Sequence, residues 1–300
     1  IVLIRTCSRT AKPAKRLPPE TQAPHVDVPS AAERLAGAVR LRTVAGGEGA
    51  AFETLHAYLR EAFPHVHRAL KCTTVAERSL LYTWHGTDPT IPPILLLGHL
   101  DVVPADPETL DAWTHPPFDG CITDGYVWGR GTLDDKQSVL GLLEAVEALL
   151  KEGFHPRRTI VLAFGHDEET AGRGARALAA HLREAGMRFA YCLDEGMAVT
   201  EGMMAGIDAP TALVGIAEKG SFSVRLAVEG EGGHTSMPPV HTAIGRLSTA
   251  IHRLERRPRP LRLTRPVRQM FDALAPAMDA GTRLTVTNLW LFGGLVKRRL

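Results

Sequence analysis

Ile94-Leu95-Leu96-Leu97-Gly98-His99-Leu100-Asp101 is the stretch from which the fold can be read. Its first four residues form a continuous apolar run, as in a strand buried on both faces of a sheet. A histidine ends the run, and a carboxylate follows two residues later. Positions i and i+2 of a strand point to one face, so His99 and Asp101 are expected to project together at the mouth of a sheet. Open α/β folds place their ligands at such mouths. A neutral imidazole backed by a carboxylate also suits a zinc site.

On either side of this stretch, Leu80–Trp84, Thr159–Phe164 and Phe189–Leu193 read as further strands. Between them lie helical patterns. Ser30 is placed to cap a helix running to about Val39, and Ala50–Ala62 carries Phe52, Leu55 and Leu59 at helical spacing. Asp134 opens the clearest helix, whose stripe of Val139, Leu142, Leu143, Val146, Leu149 and Leu150 stops at Gly153. Another helix is expected near Gly172–Ala185. Continuously apolar strands alternating with helices predict an α/β fold: a mainly parallel sheet covered by helices on both faces. The character changes near Lys219. Ser221–Val228 alternates polar and apolar, as in a half-exposed antiparallel strand, and a helix near Val240–Arg256 and a Pro-rich linker at 258–266 come next. The expected division is an arm at 1–29, a larger domain at 30–218 and a smaller α+β domain at 219–300.

Three hundred residues suffice for a large core and two domains. A hydrophobic content of 44% with 23% charged residues is ordinary for a globular enzyme. The net charge of +2 points to neither nucleic acid nor an anionic surface as partner. Cys7, Cys72, Cys121 and Cys192 are far apart and form no C-x-x-C pair, so the compartment stays open. Two readings of the N-terminus stand. Ile1-Val2-Leu3-Ile4, followed by Arg5, Arg9, Lys12, Lys15 and Arg16, fits the end of a removed membrane anchor or signal segment, hence a membrane-anchored or extracytoplasmic protein. It equally fits an extended arm on a cytoplasmic protein. No apolar span of ~20 residues is present.

Four acidic or histidine motifs each follow a strand or open a helix: His99-x-Asp101, Asp134-Asp135, Glu168-Glu169 after Phe164, and Asp194-Glu195 after Leu193. The C-terminal ends of parallel strands share one edge, so the four should converge. Alone, each has a plainer explanation: Asp134 as a helix cap, Glu168 and Glu169 as charges at a helix entry, Asp194 as a turn residue, His99 as a core histidine. Together, Asp101, Asp134, Glu168, Glu169 and Asp194 would repel one another unless protons or cations intervened. Divalent ions resolve this. One imidazole with several carboxylates suits zinc, with cobalt or manganese as substitutes, and two ions ~3.5–4 Å apart would need a bridging carboxylate such as Asp134. No H-E-x-x-H, G-x-S-x-G or P-loop pattern occurs.

The motifs in order resemble the co-catalytic zinc aminoacylase and carboxypeptidase family (peptidase family M20), in its carboxypeptidase-S-like branch, which includes N-fatty-acyl-amino-acid synthase/hydrolases. The resemblance rests on Gly98-His99-Leu100-Asp101-Val102-Val103-Pro104, Trp113-x-x-x-Pro117-Phe118, Gly129–Lys136, Gly165–Glu169, Asp194-Glu195-Gly196 and Gly233-His234-Thr235-Ser236-x-Pro238-Pro239. It implies two zinc ions: one held by His99 and Asp194, the other by Glu169, with Asp134 bridging. It implies Asp101 as the orienting partner of His99, Glu168 as general base, a cis bond at Asp134-Asp135, and His234 as an oxyanion and substrate-carboxylate ligand. The smaller domain would be an inserted lid that pairs two copies into a homodimer. The implied substrate is a peptide or an N-acyl amino acid, cleaved at an amide bond; small-metabolite deacylation and a non-catalytic metal-binding relative are the alternatives. The chain departs from the family in one respect. The family's fifth metal ligand, a histidine near the C-terminus, has no counterpart beyond His252, so the lid is expected to be incomplete and the second ion to have only Asp134 and Glu169.

Overall fold

The computed structural model describes residues 23–299 except 48, 219, 221, 231, 235 and 238. Residues 1–22 of the arm expected at 1–29, with the proposed anchor segment, and the expected boundary residue Lys219 therefore lie outside the described residues. Among the described residues, no helix is long and apolar enough to cross a membrane. The chain forms two compact units, one ending at Glu195 and the other starting at Gly196.

In the first unit the helices α1 (Val28–Arg40), α2 (Gly49–Ala62) and α3 (Pro64–Ala69) precede strands β1 (Lys71–Val75), β2 (Ser79–Trp84) and β3 (Ile94–His99). A hairpin comes next, β4 (Cys121–Thr123) and β5 (Tyr126–Trp128), then α4 (Gln137–Lys151), β6 (Ile160–Gly165), α5 (Arg173–Glu184) and β7 (Tyr191–Leu193). The central sheet has the order β1-β2-β6-β3-β7. β3 runs parallel to both β6 and β7. β2 is antiparallel to β6 and to β1. The sheet is thus parallel where the motifs lie and antiparallel at the far edge.

The alternation along β6 shows why its run is apolar throughout. Leu162 and Phe164 enter one core with Phe52, Leu55 and Leu59 of α2 and Val139, Leu143 and Val146 of α4. Val161 and Ala163 enter the other with Leu178 and Leu182 of α5. Both faces are buried, so each large side chain adds roughly 1.5–3 kcal/mol of burial.

The start of α4 departs from expectation. Asp134 (φ −126°, ψ 94°) and Asp135 (φ −134°, ψ 18°) are not helical, whereas the bond between them is cis, as the resemblance implies. The helix begins at Gln137. Asp134 is therefore not a helix cap but part of an irregular turn that aims its carboxylate elsewhere. Below the turn, the buried Lys136 donates from Nζ to the carbonyls of Ala38 (2.7 Å) and Leu41 (2.6 Å), tying the end of α1 to the start of α4.

The described residues of the second unit include the short pair β8 (Val199–Thr200) and β9 (Thr211–Ala212) and the helices α6 (Ala243–Arg256), α7 (Arg265–Leu274), α8 (Ala280–Thr287) and α9 (Leu289–Arg299). Its small core joins Ile207 to Phe271, Ala275, Met278 and Val286. Gly206 accepts the backbone N–H of Asp279 at 2.8 Å. These contacts attach the residues around 206 to the second unit, so the division falls at Gly196 rather than near 219. The strand expected at Ser221–Val228 is absent among the described residues of that stretch, where Phe222 and Val224 are exposed. Alternation alone does not make a strand without a partner to pair with.

Candidate metal centre

His99 ends β3 with its side chain 2% exposed. Its backbone N–H donates to Asp135 Oδ2 at 3.0 Å. Nδ1 lies 3.0 Å from the Asp101 carbonyl oxygen and 3.3 Å from its Oδ1. That leaves Nε2 facing Asp134 Oδ1 at 2.8 Å. Burial favours the neutral ring, but the hydrogen bond and charge of Asp101, with Asp134 and Asp135 behind it, push the imidazole up to about 10.

Asp101 is fully buried. Its Oδ1 accepts the backbone N–H of Glu168 and its Oδ2 that of Glu169, each at 3.1 Å. One carboxylate therefore backs the histidine and holds the turn after β6. Asp167 secures the other side of that turn, accepting from Arg173 N (2.9 Å) and Gly174 N (2.7 Å) at the start of α5. His166, just before Asp167, meets the Ser79 hydroxyl at 2.7 Å.

These anchors bring two sets of donors within 4.8 Å of one another: His99 with Asp134 and Glu195, and His99 with Glu168 and Glu169. Burial raises the carboxyls of Glu169 and Glu195, and the negative charges of Asp134 and its acidic neighbours raise them further. The donor set is one imidazole nitrogen and carboxylate oxygens around a shared histidine, which fits zinc and, by ligand type, cobalt or manganese.

Of the residues expected from sequence, His99, Asp134, Glu168 and Glu169 fall in these sets, and Asp101 lies directly behind them. Asp194 joins neither set; its Oδ1 accepts the backbone N–H of Glu195 at 3.0 Å, and the carboxylate that lies with His99 and Asp134 is that of Glu195. The signal for Glu195 is its place beside Asp194 at the end of β7, where one residue's shift exchanges the carboxylate presented. Asp135 also escapes the sequence; the second acid of an Asp-Asp pair gives no sign that it will be buried. His234 belongs to the second unit, exposed, with Nδ1 2.8 Å from the Ser236 hydroxyl; Thr235 and Pro238 of its motif lie outside the described residues.

Residues 95–285 match the model of "Peptidase family M20/M25/M40". "Probable carboxypeptidase S-like 2" of Dictyostelium discoideum is 44% identical over 280 residues, covering 90% of this chain and 53% of that protein. "N-fatty-acyl-amino acid synthase/hydrolase PM20D1" of Xenopus tropicalis is 41% identical over 276 residues, covering 89% of this chain and 53% of that protein. "Carboxypeptidase S" of Saccharomyces cerevisiae is 42% identical over 245 residues, covering 76% and 42%. The chain spans about half the length of the curated relatives it matches. The family match covers more than half of the chain and runs from β3 into α8, enclosing every strand-end motif that builds the donor sets, and the chain therefore belongs to peptidase family M20/M25/M40.

Proposed function

We propose that the chain carries the catalytic centre of a metal-dependent hydrolase that cleaves the amide bond of a peptide or an N-acyl amino acid. The observation that carries this reading is the convergence of Asp134, Glu168, Glu169 and Glu195 on the one buried imidazole of His99. Two zinc ions are the proposed cofactors; His99 would help hold one, Glu169 the other, and Asp134 would be shared by both. The end of β7 adds a carboxylate to the His99 side, Asp194 by the sequence resemblance and Glu195 by proximity. When bound, such ions lower the pKa of water and polarise a carbonyl oxygen.

The rest of the work falls to the protein. Glu168 is the proposed general base: it takes a proton from the attacking water and returns it to the leaving nitrogen. Its backbone is fixed by Asp101, which limits the positions its carboxylate can reach. Asp101 also accepts from His99 Nδ1 and so keeps Nε2 turned toward the acids. His234 is proposed to bind the substrate carboxylate or the developing oxyanion.

The test is Glu168→Gln in the complete, zinc-loaded protein, screened against N-acyl amino acids and dipeptides. Hydrolysis should fall by roughly 10²–10⁴-fold, the usual worth of a general base, while zinc content stays at the wild-type level. Undiminished hydrolysis would remove Glu168 from the mechanism, and a wild-type protein without zinc would remove the centre itself.

A further inference from the structure

The net charge of +2 is unevenly spread along the chain. Residues 253–268, in the second unit, hold seven arginines against one acid, Glu255. All seven are exposed. Among the described residues, no carboxylate forms an ion pair with any of them. Five of them, Arg256, Arg259, Arg262, Arg265 and Arg268, recur at every third position.

The backbone shows how these charges are displayed. α6 ends at Arg256 and α7 begins at Arg265, and residues 257–264 between them form neither helix nor strand. Pro258 and Pro260 bring no N–H to a ladder and keep Arg257 and Arg259 out of the helical region. Leu263 and Val267 pack against the core that contains Phe271 and Met278. Arg268 Nε donates to the Leu263 carbonyl at 3.0 Å. The segment is thus fastened to the second unit by its inner side. On its outer side, Leu254 and Leu261 stand among the arginines with 61% and 55% of their surface exposed.

Two features select the partner. So many unpaired guanidinium groups call for a surface with many anionic acceptors. A nucleic acid would leave Leu254 and Leu261 in water, and residues 251–268 include no Phe, Tyr or Trp on which bases could stack. A bilayer accommodates both residue types: its anionic headgroups meet the arginines, and the boundary of its acyl chains takes the leucines.

We propose that residues 253–268 are a docking surface for a bilayer that carries anionic phospholipid, with the arginines on the headgroups and Leu254 and Leu261 at the acyl boundary. The surface does not depend on the hydrolase reading.

The experiment is sedimentation of the complete protein with vesicles of phosphatidylcholine alone, and with vesicles in which roughly a third of the lipid is phosphatidylserine. Partition should be at least ~100-fold greater onto the anionic vesicles at about 0.1 M salt, and should approach the neutral baseline at about 0.5 M, where charges are screened. The triple variant Arg256→Gln, Arg259→Gln, Arg262→Gln should remove most of that preference, at about fivefold for each charge. A control triple in the first unit, Arg60→Gln, Arg68→Gln, Arg183→Gln, should keep it. Leu254→Gln with Leu261→Gln should weaken partition several-fold and leave its salt dependence unchanged. All these positions are exposed, and circular dichroism checks that each variant folds. Equal partition onto neutral and anionic vesicles would overturn the proposal. So would equal losses in the two arginine triples, which would reduce the attraction to overall charge. Leucine variants that bind as tightly as the wild type would overturn it as well, and a DNA duplex that displaced the vesicles would then give the arginines to a nucleic acid. No readout involves turnover, so failure here leaves the hydrolase reading untouched.

Discussion

Asp101 Oδ1 accepts the backbone N–H of Glu168 at 3.1 Å. The same buried side chain lies 3.3 Å from His99 Nδ1, so one residue fixes a proposed ligand and the proposed base together. Replacing Asp101 should therefore do more than loosen a histidine. Asp101→Asn keeps the shape but can accept through one oxygen only. Zinc affinity should fall by ~10–100-fold, as for loss of a ligand's supporting partner. In addition, kcat measured at saturating zinc should fall, because the turn bearing Glu168 loses one of its two anchors. A variant whose kcat recovers fully at high zinc would limit Asp101 to the histidine.

The acid supplied by β7 can be identified directly. The double variant Asp194→Asn with Glu195→Gln is expected to release about one equivalent of zinc from a two-ion site, read by elemental analysis after dialysis. The single variants then assign the ligand, since only the one that loses zinc held it. Retention of both equivalents in the double variant would place the ligand outside β7.

Glu147 of α4 caps α3 from across the core. It accepts the backbone N–H groups of His65 (3.0 Å) and Val66 (2.9 Å) and meets His65 Nδ1 at 2.6 Å. Burial opposes its charge, but the Val66 and His65 hydrogen bonds outweigh that and hold its carboxyl below the usual 4.5. The stabilisation is fully present above the unfolded-state value and is lost as pH falls through the lower folded value. Urea midpoints measured from pH 6 to pH 3 should drop in the wild type more steeply than in Glu147→Gln. At pH 7, Glu147→Ala should cost about 2–3 kcal/mol, since hydrogen bonds to a charged group are removed and buried donors remain. Parallel pH profiles for wild type and Glu147→Gln would refute the assignment.

Lys136→Met retains the length of the side chain but leaves the Ala38 and Leu41 carbonyls without its ammonium. A loss of about 1–3 kcal/mol in chemical denaturation is expected for these unpaired acceptors. An unchanged midpoint would mean that water replaces Nζ at no cost.

Much of the site is readable in the sequence because it depends on strand ends. The apolar runs before His99, Glu168 and Asp194 place β3, β6 and β7 side by side, and parallel strands bring the residues beyond their C-terminal ends to one edge. The features that escape reading depend on backbone detail. The Asp134-Asp135 turn looks like a helix start because Asp is favoured there, whereas its dihedral angles carry the acid out of the helix. At β7 the composition announces a carboxylate but not which of two neighbours faces His99. Lys71–Val75 gives no strand signal, since an edge strand with Lys71, Cys72 and Thr73 lacks a buried face; it forms because β2 offers it a partner. Ser221–Val228 shows the reverse, a strand's alternation with no ladder among its described residues.

Leu100 N donates to Gly165 O at 2.7 Å, continuing the ladder of β3 and β6 one step past His99. The two segments that carry the histidine and the glutamate pair are thus closed by the same hydrogen bonds that close the centre of the sheet. Opening one without the other would mean breaking the ladder at its most buried point. In hydrogen exchange, the Leu100 amide should then exchange only with global unfolding, and the metal-binding edge should behave as part of the slowest cooperative unit rather than as a loop that breathes on its own.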